Sequence, residues 1–304
     1  VSPAFPPPSV RDGRALVLDG GLSNGLADQG LDVSGDGLWT ARPLADGPGG
    51  RDALVAAHAA YLRAGAEVVT TASYQASFEG FARAGFGRGA AERLFGDSVR
   101  LARRAVADSG WRAYVAASVG PYGAVLADGS EYRGRYGLGV AELTRFHRPR
   151  VEALVAAGPD VLALETVPDV REAEALLRAV EACGVPVWLS YTVADGRTRA
   201  GQPLAEAFAL AAGVEQVVAV GVNCCDPREA LPAVEVAVAV TGGPAVVYPN
   251  SGETWDVAGR RWRGRARADA GAAVAWRAAG ARLIGGCCRV GPADIAALAG
   301  SLTA

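Results

Sequence analysis

The feature that most constrains this chain is an alternation. Short runs dense in Val, Leu and Ala are separated by longer stretches of helical periodicity, and the pattern repeats along the whole sequence. Eight runs read as strands: Ala15–Leu18, Glu67–Thr71, Ala113–Val119, Asp160–Leu164, Pro186–Thr192, Gln216–Val222, Ala245–Tyr248 and Arg282–Ile284. They show little polar alternation, as expected of parallel strands covered on both faces. Between them the spacing predicts helices over Asp52–Arg63, Arg88–Ser109, Ala141–Ala157, Val170–Ala182, Leu204–Ala212, Pro227–Ala239, Ala266–Ala279 and Pro292–Leu298. Pro227 and Pro292 stand at helix starts, where a missing N–H costs nothing. Gly65, Gly158 and Gly280 each punctuate a helix-to-strand junction, which fits a left-handed helix terminus. One device used three times argues for a repeated βα unit. Eight such units in 304 residues predict an α/β protein, a (β/α)8 TIM barrel in a single domain spanning 1–304, with a short proline-rich N-terminal extension (1–10). An open doubly wound sheet is the second choice.

In a barrel, chemistry belongs at the carboxyl ends of the strands. Those ends read Asp19-Gly20-Gly21, Thr71-Ala72-Ser73-Tyr74, Ser118-Val119-Gly120, Glu165-Thr166, Tyr191-Thr192, Asn223-Cys224-Cys225, Pro249-Asn250-Ser251 and Gly285-Gly286-Cys287-Cys288. Two adjacent cysteine pairs thus close the sixth and eighth strands, near neighbours in a closed barrel. One Cys from the sixth strand with Cys287 and Cys288 would make three thiolates, the donor set of a catalytic zinc that keeps a fourth position open. Glu165 ends an otherwise apolar strand, and a carboxylate there should be paired or bind a ligand.

Several chemistries are excluded. All thirty basic residues are Arg, so Schiff-base and Walker-A lysine chemistry is impossible. With only His58 and His147, a His-rich metal site is out, and both read as surface or packing residues on helices. Leu26 and Ala27 stand where a phosphate loop after Gly20 would need Lys and Ser/Thr. A net charge of −2 does not suit a nucleic-acid partner, and the Trp255–Arg265 stretch reads as a solvated loop. No run of 18 apolar residues suggests a membrane span. Five cysteines, odd in number and four of them in adjacent pairs, read as reduced thiols of a cytoplasmic protein. Cys183 reads as a buried packing residue. Nothing in the sequence specifies an oligomeric state.

The motifs then resemble a known family. Gly221-Val222-Asn223-Cys224 with Gly285-Gly286-Cys287-Cys288-Arg289 is similar to the zinc signature of the homocysteine S-methyltransferases. The likeness runs from Leu18-Asp19-Gly20-Gly21 to Pro292-Ala293-Asp294-Ile295. The strings Thr71–Gln75, Ser118–Gly123, Leu126–Gly134, His147–Glu152 and Tyr248–Glu253 resemble the branch that uses S-methylmethionine. The resemblance implies a (β/α)8 barrel, one Zn2+ per chain held by Cys224, Cys287 and Cys288, and methyl transfer from a sulfonium donor to homocysteine, giving methionine. It further implies Asp19, Gly20, Glu165 and Asn223 as substrate-binding residues. Two departures stand out. A Thr-Glu-Leu-Glu-like run after Gly21 is replaced here by Asn24-Gly25-Leu26-Ala27, and Cys225 is an extra thiol beside the expected ligand. S-Adenosylmethionine and betaine are alternative donors, a non-catalytic zinc-stapled barrel and a thiol redox protein alternative functions. The loop Gly120–Gly139 is expected to cover the site, with Tyr74, Tyr122 or Tyr132 facing a sulfonium. Asp128, Glu131 and Arg133 on that loop are candidate partners for the donor's amino acid end.

Overall fold

Each of the eight apolar runs forms a strand, and all pair in parallel. The strands are β1 (Leu16–Val17), β2 (Val68–Thr70), β3 (Tyr114–Val119), β4 (Val161–Val167), β5 (Val187–Tyr191), β6 (Val217–Asn223), β7 (Ala245–Tyr248) and β8 (Ala281–Ile284). This computed structural model describes residues 4–32, 38–256, 261–264 and 270–303. Each strand lies beside its sequence neighbours and β1 pairs β8. A parallel bridge between Leu18 and Val68 joins β1 to β2 and closes the ring. Closure with sequential order is the (β/α)8 barrel and excludes the open doubly wound sheet.

A helix follows each strand: α1 (Gly47–Arg63), α2 (Arg88–Ser109), α3 (Val140–Val155), α4 (Val170–Val180), α5 (Leu204–Ala209), α6 (Pro227–Thr241), α7 (Ala270–Ala278) and α8 (Pro292–Thr303). α1 starts at Gly47 rather than Asp52 because Pro48 sits in its first turn, where its fixed φ favours helix. For α7, the expected residues 266–269 lie outside the described residues. The junction glycines have the expected left-handed backbone, with φ of +98° at Gly65, +70° at Gly158 and +111° at Gly280.

The apolar residues divide into two layers. Val17, Val115, Ala117, Leu162, Leu164, Leu189 and Val247 pack outward against the helices. Leu16, Leu18, Val68, Ala116, Val161, Ala163, Trp188, Ala219, Val246 and Leu283 fill the barrel interior. This is the period-2 alternation of strands expressed on a closed sheet. The N-terminal extension takes part in the fold: Phe5 belongs to the interior layer, with its ring 5.2 Å from Tyr114 and 6.4 Å from Trp188. Residues 1–3 lie outside the described residues.

One expectation needs correction and another is narrowed. The Trp255–Arg265 stretch is not simply a loop. Thr254–Asp256 pairs antiparallel with Arg261–Arg263, while residues 257–260 and 265 lie outside the described residues. Of the two readings of His147, surface or packing, the structure takes packing although arginines flank it. It is fully buried with Nε2 2.9 Å from Glu172 Oε1. Beside it the buried Arg150 guanidinium donates to the carbonyls of Gly120 (2.9 Å), Ser73 (3.2 Å) and Tyr74 (2.9 Å). Arg150 thereby braces the strand ends from behind. His58 is likewise fully buried. No helix among the described residues is long and apolar enough to cross a membrane.

Candidate metal and substrate site

The interior alternation carries on past the apolar layer and turns polar at the carboxyl end. Counting by twos, Val68 leads to Thr70, Ala116 to Ser118, Ala163 to Glu165, Trp188 to Ser190, Gly221 to Asn223 and Val246 to Tyr248. These six side chains form a ring at the top of the barrel. Glu165 accepts hydrogen bonds from Ser118 Oγ and from Tyr248 Oη (3.0 Å). Tyr248 Oη also contacts Ser190 Oγ at 2.8 Å and accepts from Trp188 Nε1 at 3.0 Å. Ser190 Oγ in turn donates to Asn223 Oδ1 at 2.9 Å.

Asn223 holds the least comfortable backbone in the site. Its Oδ1 accepts from Thr166 N at 2.7 Å and its Nδ2 donates to Thr166 Oγ1 at 2.8 Å. Thr166 has φ of +59°, a left-handed conformation that a β-branched residue adopts only when its surroundings enforce it. Cys224, directly after Asn223, has φ of +49°. Two strained residues therefore flank one buried amide, and the amide itself is spent on the protein.

The three expected cysteines converge. The Sγ atoms of Cys224, Cys287 and Cys288 all lie within 4.8 Å of one another, and Cys224 and Cys288 are 3.7 Å apart. Their turn is pinned from three sides. Cys287 N donates to Pro249 O (2.8 Å), Cys288 N to Asn250 Oδ1 (3.1 Å) and Arg289 N to Asn24 Oδ1 (3.0 Å). Asn24, a departure from the resembled pattern, thus ties the first loop to the cysteine turn. Gly20 is required at that seam, because a Cβ there would come within 2.3 Å of the Val290 carbonyl oxygen. Cys225 is fully buried in the apolar layer outside the cluster, where burial raises its thiol pKa far above the ordinary range. Cys183 is half-buried, near Val185.

The cluster fits a metal. Tetrahedral zinc with Zn–S bonds of about 2.3 Å places its sulfurs about 3.8 Å apart, close to the Cys224–Cys288 separation. Hydrogen bonds from Cys287 and Cys288 pull the Cys224 pKa well below the ordinary thiol range, so the cluster already favours a thiolate. Three convergent cysteines in a polar, strand-end setting could hold a soft divalent ion.

Carboxylates surround the cluster on two sides. Asp19 is buried, with Oδ2 accepting from Thr70 N (2.7 Å) and Oδ1 from Thr70 Oγ1 (2.9 Å). Burial pushes both Asp19 and Glu165 up to about 7. On the other side is the β3–α3 loop, where Tyr132 Oη lies 3.1 Å from Cys224 Sγ and the Arg199 guanidinium stacks over the Tyr132 ring. Glu131 beside it is buried and pushed up to about 7. Asp128 and Arg133 are exposed, and Asp128 Oδ1 accepts from Ser130 N at 2.9 Å. The loop does reach the site. Tyr122 is packed edge-on against Tyr136 and Phe146, whereas the Tyr74 phenol is pushed well above its ordinary range by burial.

Residues 16–302 match the family model of the homocysteine S-methyltransferases. Over 294 residues the chain is 45% identical to the homocysteine S-methyltransferase of Escherichia coli, covering 93% of this chain and 94% of that protein. It is 41% identical over 299 residues to the homocysteine S-methyltransferase YbgG of Bacillus subtilis, 93% of each. Among solved structures, the metallated form of the homocysteine methyltransferase MmuM from Escherichia coli superposes with a TM-score of 0.83 at 44% identity, over 94% of this chain and 96% of that one.

Proposed function

The chain belongs to the homocysteine S-methyltransferase family, and from that premise we propose that it is a zinc-dependent enzyme moving a methyl group from a sulfonium donor to the thiol of L-homocysteine. The observation that carries the reading is the convergence of Cys224, Cys287 and Cys288 beside the buried carboxylates Asp19 and Glu165. The three cysteines hold one Zn2+ per chain. Bound there, the ion makes a coordinated thiol ionise at neutral pH, where a free thiol with a pKa of about 8.5 is only a few per cent thiolate.

The chain's own residues do the rest. Glu165 and Asp19 accept the α-ammonium of homocysteine, with the backbone at Gly20 alongside. The hydroxyls of Ser118 and Tyr248 orient Glu165 for that task, so the amino acid end is fixed before the donor enters. Asn223 contributes to substrate binding by position. It locks Thr166 and Cys224 in their strained conformations, and so sets the distance between Glu165 and the cysteine cluster.

A sulfonium suits this site because its leaving group is a neutral thioether and needs no general acid. His147 is sequestered against Glu172. S-Methylmethionine is the preferred donor, supported by the Leu126–Gly134 and Tyr248–Glu253 motifs. Residues 1–304 act as one homocysteine-binding barrel domain, and a zinc centre built from three cysteines, which must stay reduced, supports a cytoplasmic setting.

The test is a product assay of the zinc-loaded protein with homocysteine and each donor, alongside metal analysis. Methionine should form fastest from S-methylmethionine, more slowly from S-adenosylmethionine and not from betaine. A clear betaine preference would overturn the donor assignment, and absence of stoichiometric zinc would overturn the metal centre.

A further inference from the structure

Glu131 differs from the other carboxylates around the cluster. It lies in the 3-10 turn Ser130–Tyr132 of the β3–α3 loop and is 5% exposed. Its Oε2 is buried without any hydrogen-bond partner. The largest charge effects on it come from Cys224 and Asp128, both of which disfavour its ionised form.

The carboxylate is held there by its backbone. Gly123 packs so closely under the turn that a Cβ would come within 2.4 Å of Glu131 N and 2.8 Å of its Cα. The next residue, Tyr132, reaches Cys224 with its hydroxyl. The loop therefore sets Glu131 beside the cysteine cluster, close enough to act electrostatically on Cys224 and on Tyr74. Buried acceptors are nearly always paired, and an unpaired buried carboxylate is costly. A vacant acceptor at the entrance of a site is completed by a donor group arriving from outside.

We propose that Glu131 is the carboxylate that recognises the methyl donor, accepting a hydrogen bond from the α-ammonium of a sulfonium amino acid. The inference rests on the sulfonium-donor reading above. It selects the ammonium over the sulfonium because Oε2 lacks an N–H partner, and a sulfonium has none to give. The two substrates are then sorted by two carboxylate stations: homocysteine at Glu165 and Asp19, the donor at Glu131.

The experiment pairs a change in the enzyme with a change in the donor. S-Methylmethionine and its des-amino counterpart, (3-carboxypropyl)dimethylsulfonium, are compared as donors for zinc-loaded wild type and Glu131→Gln at saturating homocysteine. Wild type should prefer S-methylmethionine, and Glu131→Gln should shrink that preference about 30-fold, the size of a lost charge-assisted hydrogen bond. The loss should appear in the donor KM, with zinc content and homocysteine KM unchanged. An unchanged preference, or equal losses with both donors, would overturn the assignment. Should Glu131→Gln fail to fold, Glu131→Asp, which keeps the charge at shorter reach, must show a reduced preference, and wild-type preference in that variant would overturn it too. Wild type inactive with every sulfonium would instead sink the donor reading on which the inference stands, and that outcome is visible before any variant is made.

Discussion

Glu165 and Glu131 flank the same cysteine cluster, both buried and both pushed up to about 7 by burial. Their surroundings differ. Glu165 is borne by a central strand and accepts from Ser118 and Tyr248. Glu131 is borne by a loop, and its Oε2 has no partner. Hydrogen bonds from neutral hydroxyls orient a carboxylate and offset part of its desolvation. A strand-borne carboxylate is thus oriented by the protein in advance, whereas a loop-borne one is completed by the ligand itself. The contrast suits a two-substrate reaction in which the acceptor must be placed rigidly and the donor admitted from the mouth.

The largest effects should come from the cluster between the two stations. Cys224→Ala, Cys287→Ala and Cys288→Ala are each expected to abolish turnover and strip the metal, as read by metal analysis of purified protein. Cys225→Ala and Cys183→Ala should keep both. Zinc lost from Cys225→Ala but retained in Cys224→Ala would invert the ligand assignment and with it the geometry of the comparison.

Next comes the strand-borne station. Glu165→Ala should weaken homocysteine binding by about 1.5–3 kcal/mol, the range of a lost charge-assisted hydrogen bond. Donor KM and zinc content should hold. If the donor KM moves instead, the two stations are not separate. Tyr248→Phe should sharpen the same point with a smaller loss, about 1 kcal/mol in homocysteine binding, because Glu165 keeps its charge but loses one orienting hydroxyl.

The smallest expected effect is on stability. Glu165 has its folded pKa raised from 4.5 to about 7, so the folded protein binds that proton more tightly than the unfolded chain. The stability this confers is fully present below pH 4.5 and is lost as pH rises through about 7. Melting curves of ligand-free protein between those limits should therefore fall more steeply with pH for wild type than for Glu165→Gln. A Glu165→Gln profile parallel to that of wild type would show that its hydrogen bonds offset burial completely.

Much of this was legible in the residues. Apolar runs at regular spacing marked all eight strands, and polar residues immediately after them marked the site. The ring of Thr70, Ser118, Ser190 and Tyr248 went unread, although counting by twos from the interior residues would have found it. Asn223 and Asn24 were recognised as motif or departure, but their tasks, holding Thr166 and Arg289, depend on contacts across the chain. His147 was left between surface and packing because a cluster of arginines in a helical stretch usually means a solvated face. Here α3 is turned so that His147 and Arg150 are buried and Arg150 braces the strand ends.

By itself the sequence determined the barrel, and it pointed to the strand ends and to a three-thiol cluster that could hold a soft metal ion. Those follow from local periodicity and residue type, which act over a few neighbouring positions. The motif resemblance pointed to Cys224 over Cys225, and the tertiary structure supplies the physical reason, since one left-handed residue turns Cys224 inward and leaves Cys225 in the apolar layer. The tertiary structure alone decided which carboxylates are partnered. Hydrogen bonds among Glu165, Ser118 and Tyr248 join residues on three different strands, and the lack of one at Glu131 Oε2 depends on where a loop comes to rest over the barrel mouth.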